Sequence, residues 1–271
     1  MRRINETIGR LTGFQLRRVS RQSSGPKSTG GSERTDSRRD DPKIPNDFDD
    51  EMASIIRAVA PFTMTNVDKL HALITATRYV AQHEIPGDFV ECGVWRGGSM
   101  HAVARTLAAC GDLGRELYLY DTCEGMTEPT EKDLRWDGVH PSAWLKHSAH
   151  NKRGSAIWAY ASLEEVKAGF ADVPYPKERL HFVQGPVEQT VPGVLPERIA
   201  LLRLDTDWYS STAHELEYMY DRLVPGGVLL LDDYAHWQGA RKATDEWLAH
   251  TGEKLLLVRM GGGRIAVKPG N

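Results

Sequence analysis

The chain has 271 residues, which is enough for one large α/β domain with an additional tail. Its formal charge of −3 gives no surplus of positive charge, so we expect no nucleic-acid partner, and three dispersed cysteines argue against a zinc site or a disulfide framework. This cysteine usage suits a reducing cytoplasm, where we expect the protein to be. No apolar run approaches the roughly 20 residues that cross a bilayer, so we expect no transmembrane segment.

Residues 1–45 differ in composition from the rest of the chain. They are rich in Arg, Ser, Gly and Asp and contain a single aromatic residue, Phe14. This composition predicts a disordered basic tail. Ile4, Ile8 and Leu11 fall at helical spacing among arginines, so a short amphipathic helix for a membrane surface or a partner is the alternative.

Residues 46–85 show the apolar spacing of two helices. One face contains Met52, Ile56 and Val59, and the second helix has an apolar face that begins after Asn66, a residue suited to capping a helix. We expect these helices to form a lid or a contact between copies in a homodimer or higher homo-oligomer.

From residue 86 to residue 271, short apolar runs alternate with helical patterns, which predicts parallel strand pairing. The predicted strands cover residues 88–92, 117–121, 180–183, 199–205 and 228–232. The predicted helices cover residues 97–109, 163–170, 211–223 and 240–248. Two final strands, 255–258 and 264–267, flank a glycine-rich turn and predict a hairpin. We therefore expect a mostly parallel seven-stranded α/β sheet with an antiparallel C-terminal hairpin and helices on both faces.

Acidic residues stand where the predicted parallel strands end. They are Glu91, Asp121, Asp205, Asp232 and Asp233. In an open parallel sheet, ligands bind outside the carboxyl ends of the strands. One such residue often only caps the following helix, but five at the same edge indicate a binding site.

The first strand runs into a glycine-rich turn over residues 91–99. Glycines let the backbone approach a ligand, and the N–H groups at the next helix start can bind an anion, although an ordinary strand-to-helix turn has the same composition. The spacing is not GxGxxG, which disfavours a nicotinamide enzyme. Asp121 ends the second strand, where a carboxylate can accept hydrogen bonds from both hydroxyls of a ribose, so an adenosine ligand is favoured.

Asp205 and Asp207 follow the fourth strand, and Asp232 and Asp233 follow the fifth. Converging carboxylates repel one another unless a cation neutralises them, and oxygen ligands suit Mg²⁺ or Ca²⁺ better than zinc. We expect a divalent metal at this edge. Asp207 is open to three roles: a further ligand, a group that orients the ligands, or a general base.

Aromatic and histidine side chains follow these aspartates and also occur in the long segment after the second strand. They are Tyr234, His236 and Trp237, together with Trp136, His140 and Trp144. They would suit the wall of a sugar-binding pocket, while ordinary packing of each residue is an equal alternative. His236 is also a reserve candidate for the proton acceptor.

Five ordered motifs together resemble the macrocin O-methyltransferase family, whose members methylate sugar hydroxyls of antibiotics such as macrolides and aminocoumarins. The motifs are Glu91–Gly98 (ECGVWRGG), Asp121–Met126 (DTCEGM), Leu163–Lys167 (LEEVK), Leu202–Thr212 (LRLDTDWYSST) and Pro225–Tyr234 (PGGVLLLDDY). The resemblance extends from about Thr65 to Leu248. One departure is Thr206, where family members commonly have glycine between the two aspartates.

The resemblance implies a Rossmann-like class I methyltransferase fold, with residues 86–271 as the S-adenosylmethionine-dependent domain. It implies that Asp205, Asp232 and Asp233 bind Mg²⁺ and that Asp207 is the general base. The residues implied to hold S-adenosylmethionine are Thr65, Glu91, Cys92, Gly93, Val94, Trp95, Arg96, Gly97, Ser99 and Asp121.

These expectations together describe a metal-dependent O-methyltransferase that acts on a hydroxyl of a sugar, a glycosylated metabolite or a saccharide. Tyr234, Trp237 and His140 are the candidate acceptor contacts. Two alternatives remain from the sequence. A metal-dependent phosphoesterase could use the aspartates without the adenosine site, and a non-catalytic protein could bind S-adenosylmethionine without transferring its methyl group.

Overall fold

The computed structural model describes residues 42–270, and strands occur there at each position where the sequence predicts one. The strands are β1 (Asp88–Cys92), β2 (Leu117–Asp121), β3 (Leu180–Gln184), β4 (Ile199–Leu204), β5 (Leu223–Leu231), β6 (Val258–Met260) and β7 (Gly263–Val267). The α-helices are α1 (Asp50–Val59), α2 (Val67–Gln82), α3 (Gly98–Ala109), α4 (Ser142–Ser148), α5 (Leu163–Gly169), α6 (Val187–Thr190), α7 (Tyr209–Met219) and α8 (Gln238–Thr251).

These strands form one seven-stranded sheet in the order β3-β2-β1-β4-β5-β7-β6. The five strands from β3 to β5 pair in parallel, while β7 pairs antiparallel with both β5 and β6. The predicted fold is therefore confirmed. The strand order reverses between β1 and β4, and such a reversal opens a crevice at the carboxyl ends of the two strands.

Alternate strand residues enter two separate apolar layers, as the two-residue period of a strand requires. Phe89 of β1 packs on one face with residues of α2 and α3, such as Leu73 and Val103. Val90, the next residue of β1, packs on the opposite face with Leu216 of α7. The central strands are thus buried on both faces, which explains their nearly continuous apolar sequence.

The two helices before β1 begin at the residues that side-chain capping favours. Asp49 accepts a hydrogen bond from the Met52 backbone N–H, and Asn66 accepts one from the Lys69 backbone N–H. Asn66 was the predicted cap. Ile56 of α1 packs with Leu70 and Ile74 of α2 in a separate apolar cluster, while Leu73 of α2 belongs to the core on one face of the sheet. Their role as a lid or a contact between copies stays a prediction.

The observed elements differ from the predicted ones mainly at the C-terminal edge. Strand β6 begins at Val258 instead of residue 255, and Leu256 is 81% exposed. Strand β5 begins at Leu223, five residues before the predicted start, because the segment through Pro225 is already extended. The predicted basic tail lies outside the described residues as far as residue 41. Within the described part of the chain, every helix is too short or too polar to span a membrane.

Candidate functional site

A cavity of about 610 Å³ opens at the carboxyl ends of the parallel strands. Its volume lies within the range of small-molecule sites. Residues from the ends of β1, β2, β4 and β5 line it, together with the segment that precedes α2. The predicted site residues in its wall are Thr65, Glu91, Gly93, Val94, Trp95, Ser99, Asp121, Asp205, Asp207, Asp232, Asp233, His236 and Trp237.

Asp121 ties the end of β2 to the turn that follows β1. Its Oδ2 accepts hydrogen bonds from the backbone N–H groups of Val94 (2.7 Å) and Trp95 (2.9 Å), and its Oδ1 accepts one from Cys123 (2.7 Å). Burial raises the pKa of Asp121 above its ordinary value, while these backbone hydrogen bonds lower it. The carboxylate therefore shapes the turn before any ligand binds.

Two glycines of this turn lie in the left-handed region, Gly93 at φ +83° and Gly97 at φ +87°. A Cβ atom on Gly93 would collide with the Asp205 carbonyl oxygen, and one on Gly97 would lie 2.8 Å from the ring of Phe170. The protein itself fills the space beside each glycine. Glycine is therefore required here by the left-handed backbone and by neighbouring protein atoms, and close approach of a ligand to this turn stays a prediction.

Three residues of the predicted cofactor segment lie outside the cavity wall. The Cys92 side chain is buried on the other face of β1, where its Sγ lies 3.7 Å from Met219 Sδ. Arg96 is exposed, with its guanidinium 4.9 Å from the centre of the Trp95 ring. Gly97 caps the start of α3. These residues shape the turn, and the structure does not bring their side chains to the cavity.

Asp205, Asp232 and Asp233 converge at the neighbouring part of the cavity. One carboxylate oxygen of each lies within 4.8 Å of the others. Burial and the adjacent carboxylates raise the pKa of Asp205 and of Asp233 above the ordinary value. Burial would also raise the pKa of Asp232, but Arg203 and Lys69 outweigh it and lower that pKa.

Arg203 lies at the centre of the charged cluster, and its guanidinium is almost completely buried. It donates to Glu91 on the neighbouring strand, to Asp232 Oδ1 at 2.6 Å, and forms an ion pair with Asp205 Oδ2 at 2.7 Å. It also donates to Thr65 Oγ1 at 3.1 Å. Glu91, predicted to bind the cofactor, is thus mainly a partner of Arg203, although burial still raises its pKa to about 7.

Lys69, in the first turn of α2, supplies the second cation of the cluster. Its ammonium donates to Asp232 Oδ2, and both side chains are nearly buried. Burial would lower the pKa of Lys69, but Asp232, Asp233 and Asp205 together raise it, so the ammonium stays charged. Both oxygens of Asp232 are therefore paired with protein cations.

Asp207 lies beside these carboxylates with its backbone in the left-handed region, at φ +68°. Burial and Asp205 raise the pKa of Asp207 to about 7, although hydrogen bonding with Asp233 and Trp237 lowers it. Aspartate tolerates this backbone conformation better than most residues, and strain of this kind is frequent at functional sites. His236 also lines the cavity. Burial and the positive charges of Lys69 and Arg135 lower the pKa of its imidazole.

The long segment between β2 and α5 also contributes to the wall of the cavity. Trp144 and Ile157 from this segment line the cavity together with Trp237. Trp208 anchors the wall, because its ring packs against Trp237 at 4.9 Å between centres and its Nε1 donates to the Thr127 carbonyl. The result is an apolar, aromatic part of the wall in the same cavity as the acidic cluster.

Two of the predicted acceptor contacts lie elsewhere. The Tyr234 hydroxyl donates to Asp245 on α8 at 2.5 Å, and the His140 ring pairs with the Thr130 carbonyl at 3.0 Å. Neither side chain lines the cavity. Trp136, another aromatic residue of that segment, is 66% exposed. Local hydrogen bonds hold the side chains of Tyr234 and His140 away from the cavity.

Three further residues of the cavity wall were not predicted from the sequence: Lys69, Arg135 and Arg203. Arg203 had a signal, because it is the one charged residue in the otherwise apolar run 199–204. A buried arginine in a central strand needs acidic partners. Lys69 had no comparable signal, because its partner is 163 residues away in the chain.

Known proteins resemble this chain over most of its length. The model of the macrocin O-methyltransferase (TylF) family matches residues 37–257. The 8-demethyl-8-(2,3-dimethoxy-alpha-L-rhamnosyl)-tetracenomycin-C 4'-O-methyltransferase of Streptomyces olivaceus is 35% identical over 173 residues, which cover 64% of this chain and 62% of that protein. The mycinamicin III 3''-O-methyltransferase of Micromonospora griseorubida is 31% identical over 173 residues, 64% of this chain and 65% of that protein.

The match thus spans slightly less than two thirds of the length of these two relatives. Among solved structures, the O-methyltransferase NovP superposes with a TM-score of 0.64 at 27% sequence identity, over 77% of this chain and 83% of that one. Since the family model covers far more than half of the chain, and the fold agrees with that of NovP, this protein belongs to the macrocin O-methyltransferase family.

Proposed function

We propose that this protein transfers a methyl group from S-adenosylmethionine to a hydroxyl oxygen of a sugar or a glycosylated metabolite, with the help of a divalent metal. One observation carries the proposal. The cluster of Asp205, Asp232 and Asp233 lines the same cavity as Asp121 and the turn after β1. The proposed cofactor residues and the acidic cluster thus open into one space at the strand-order reversal, where a parallel sheet binds its ligands.

The residues present fit a hard divalent cation. Three carboxylates can each offer an oxygen, and Asp233 Oδ2 is buried without a hydrogen-bond partner among the described residues. Burial and repulsion between the carboxylates raise the pKa values of Asp205 and Asp233, and a bound cation would relieve this repulsion. Mg²⁺ bound there would act as a Lewis acid toward the acceptor hydroxyl and orient it.

The residues also fit S-adenosylmethionine. Asp121 is held at the end of β2, where it can accept hydrogen bonds from ribose hydroxyls in addition to those from the backbone. Thr65 and Ser99 lie close together at the same side of the cavity, with 3.4 Å between their hydroxyl oxygens. Bound at this position, the cosubstrate supplies the methyl group.

Asp207 is the proposed proton acceptor. Its pKa, raised to about 7 by burial, is close to neutral pH, which suits a group that must take up a proton and release it again. The left-handed backbone at Asp207 holds its carboxylate beside Asp233 and Trp237. His236, whose ring is also in the cavity wall, is the second candidate.

The aromatic wall supports a sugar as the acceptor. Trp144 and Trp237 present ring surfaces to the cavity, and such surfaces pack against the apolar faces of sugars. The two bacterial relatives are named for methylation of a rhamnosylated tetracenomycin and of mycinamicin III. The acceptor of this chain is therefore proposed to be a hydroxyl of a comparable small-molecule glycoside or of a saccharide.

The test is methyl transfer from labelled S-adenosylmethionine to a panel of glycosides, with Mg²⁺ and with EDTA, followed by mapping of the methylated oxygen. We expect transfer that requires the metal. Asp232→Asn should remove transfer but retain cofactor binding by calorimetry, and the exposed Asp221→Asn should behave like the wild type. Full activity in EDTA would refute the metal requirement.

The same assay separates the alternatives. A phosphoesterase would hydrolyse phosphate esters and would not bind S-adenosylmethionine, whereas a non-catalytic protein would bind it without transfer to any glycoside. Assembly into a homo-oligomer and a cytoplasmic location stay predictions from the sequence.

A further inference from the structure

Lys69 occupies an unusual position for a lysine. It is the third residue of α2, where the backbone N–H groups give the helix a partial positive charge that disfavours cations. Its side chain is only 13% exposed, and its ammonium lies against Asp232. The helix start therefore disfavours the charge of Lys69, and the neighbouring carboxylates offset this unfavourable interaction.

The two protein cations of the cluster are held very differently. Arg203 is in the centre of the sheet, with its planar guanidinium fixed by Glu91 on one neighbouring strand and by Asp232 beyond the other. Lys69 has a single ion-pair partner in the described part of the chain, at the end of a flexible four-carbon stem. If one cation leaves the cluster, it is Lys69.

A divalent cation and the ammonium would compete for the same oxygen. Asp232 Oδ1 is taken by Arg203 at 2.6 Å, so Oδ2 is the oxygen that remains for a metal, and Lys69 donates to it. A metal that also takes oxygens from Asp205 and Asp233 would lie within a few ångströms of the ammonium, where two cations repel each other strongly in a low dielectric.

We propose that Lys69 is a built-in counter-ion of the carboxylate cluster, which is displaced when a divalent metal binds. This inference rests on the metal site of the proposed function. Lys69 keeps the buried carboxylates neutralised in the absence of metal, and it lowers the affinity of the site for metal.

The first test compares metal binding by full-length variants, measured with Mn²⁺ by electron paramagnetic resonance and with Mg²⁺ by calorimetry. Lys69→Met retains most of the side-chain volume without the charge, and it should bind metal about tenfold or more tightly than the wild type. Lys69→Arg should gain nothing. Lys242→Met, at an exposed lysine of α8, is the control and should equal the wild type.

Thermal unfolding gives an independent readout. In EDTA, Lys69→Met should melt well below the wild type because its carboxylates are left without their ammonium, and Mg²⁺ should restore most of the difference. Lys242→Met should show neither effect. Equal metal affinity in Lys69→Met and the wild type would overturn the inference.

A second test uses the wild-type protein and does not depend on a variant that folds. Acylation of lysines with acetic anhydride, followed by mass spectrometry, should show Lys69 protected in EDTA and reactive with saturating Mg²⁺, while Lys242 reacts equally in both. Unchanged labelling of Lys69 would overturn the inference. If neither the wild type nor Lys69→Met binds metal, the inference and the metal part of the proposed function both fail, whereas cofactor binding and methyl transfer are scored separately.

Discussion

The Asp133 carboxylate is joined to the backbone of Tyr209, which is 76 residues away in the chain, by a hydrogen bond of 2.7 Å. Asp133 is fully buried, and its second oxygen accepts hydrogen bonds from the backbone and the hydroxyl of Thr130. Gly239 packs against the same carboxylate, where any side chain would collide. One residue thus fastens the aromatic wall of the cavity to the first turn of α7, directly after Asp207.

Asp133→Ala should therefore loosen the acceptor wall. It removes the hydrogen-bond acceptor that the Tyr209 and Thr130 backbone N–H groups share, so we expect a loss of about 2 kcal/mol in the free energy of unfolding. Urea unfolding measures this loss. KM for the acceptor should rise more than the Kd for S-adenosylmethionine. Asp172→Ala, at an exposed position, is the control, and equal effects of both variants would contradict the role of Asp133.

Arg203→Met should be among the most destabilising substitutions of the site. It leaves Glu91 and Asp232 in the core without their shared guanidinium, and breaking a buried ion pair typically costs about 3–5 kcal/mol. Arg203→Lys should be intermediate, because an ammonium cannot reproduce the planar arrangement of donors. Denaturant unfolding of both variants checks the order. A stable Arg203→Met protein would show that the carboxyls protonate at little cost.

Much of the fold follows from local pattern in the sequence. The apolar runs predict the strands, Asn66 predicts the start of α2, and the final glycine-rich turn predicts the hairpin, because each depends on neighbouring residues only. The hairpin start is misplaced because Leu255–Leu257 is apolar without entering the sheet, so apolar character alone does not identify a strand there.

The site is only partly predictable for a physical reason. Parallel strands bring their ends to one edge, so the convergence of Asp205 and Asp232 could be anticipated. The pairing of Glu91 with Arg203 depends on the register between β1 and β4, and the contact of Lys69 depends on how α2 packs across the sheet. Such long-range geometry has no signature in local spacing.

Asp207→Asn tests the proposed proton acceptor. Asparagine tolerates the left-handed backbone at this position, so the fold and the binding of S-adenosylmethionine should be preserved. We expect kcat to fall by about 10²- to 10⁴-fold, the usual range for loss of a general base. His236→Gln is the comparison variant. If His236→Gln loses activity while Asp207→Asn retains it, the roles of these two residues are reversed.

The pH profile of the wild type gives a second check on Asp207. Burial raises its pKa to about 7, and only the ionised carboxylate can accept a proton. Because transfer is expected to require the metal, the profile is measured in saturating Mg²⁺. A metal next to the carboxylates favours their ionised form, so kcat should rise below about pH 7. A rise at or above pH 7 in saturating Mg²⁺ would assign the titration to another group.

Glu215 in α7 offers a stability test that is independent of catalysis. It is fully buried beneath Thr206, whose hydroxyl donates to it at 3.2 Å, and its Oε1 has no hydrogen-bond partner in the described part of the chain. Burial raises the pKa of Glu215 well above the model-peptide value of 4.5. The folded protein therefore holds this proton to a higher pH than the unfolded chain does.

The contribution of Glu215 to stability is thus fully present below about pH 4.5 and is lost as the pH rises toward the folded-state pKa. Glu215→Gln keeps the shape and removes the titration. Urea unfolding gives the free energy of unfolding of the variant minus that of the wild type at each pH. This difference should be more favourable to the variant at pH 8 than at pH 5 by more than about 1 kcal/mol. Glu217→Gln, at an exposed site on the same helix, should show no such pH dependence. If this difference in the free energy of unfolding stays constant from pH 5 to pH 8 for Glu215→Gln, Glu215 is ionised in the folded protein. The Thr206 hydroxyl would then donate its hydrogen bond to a buried charge.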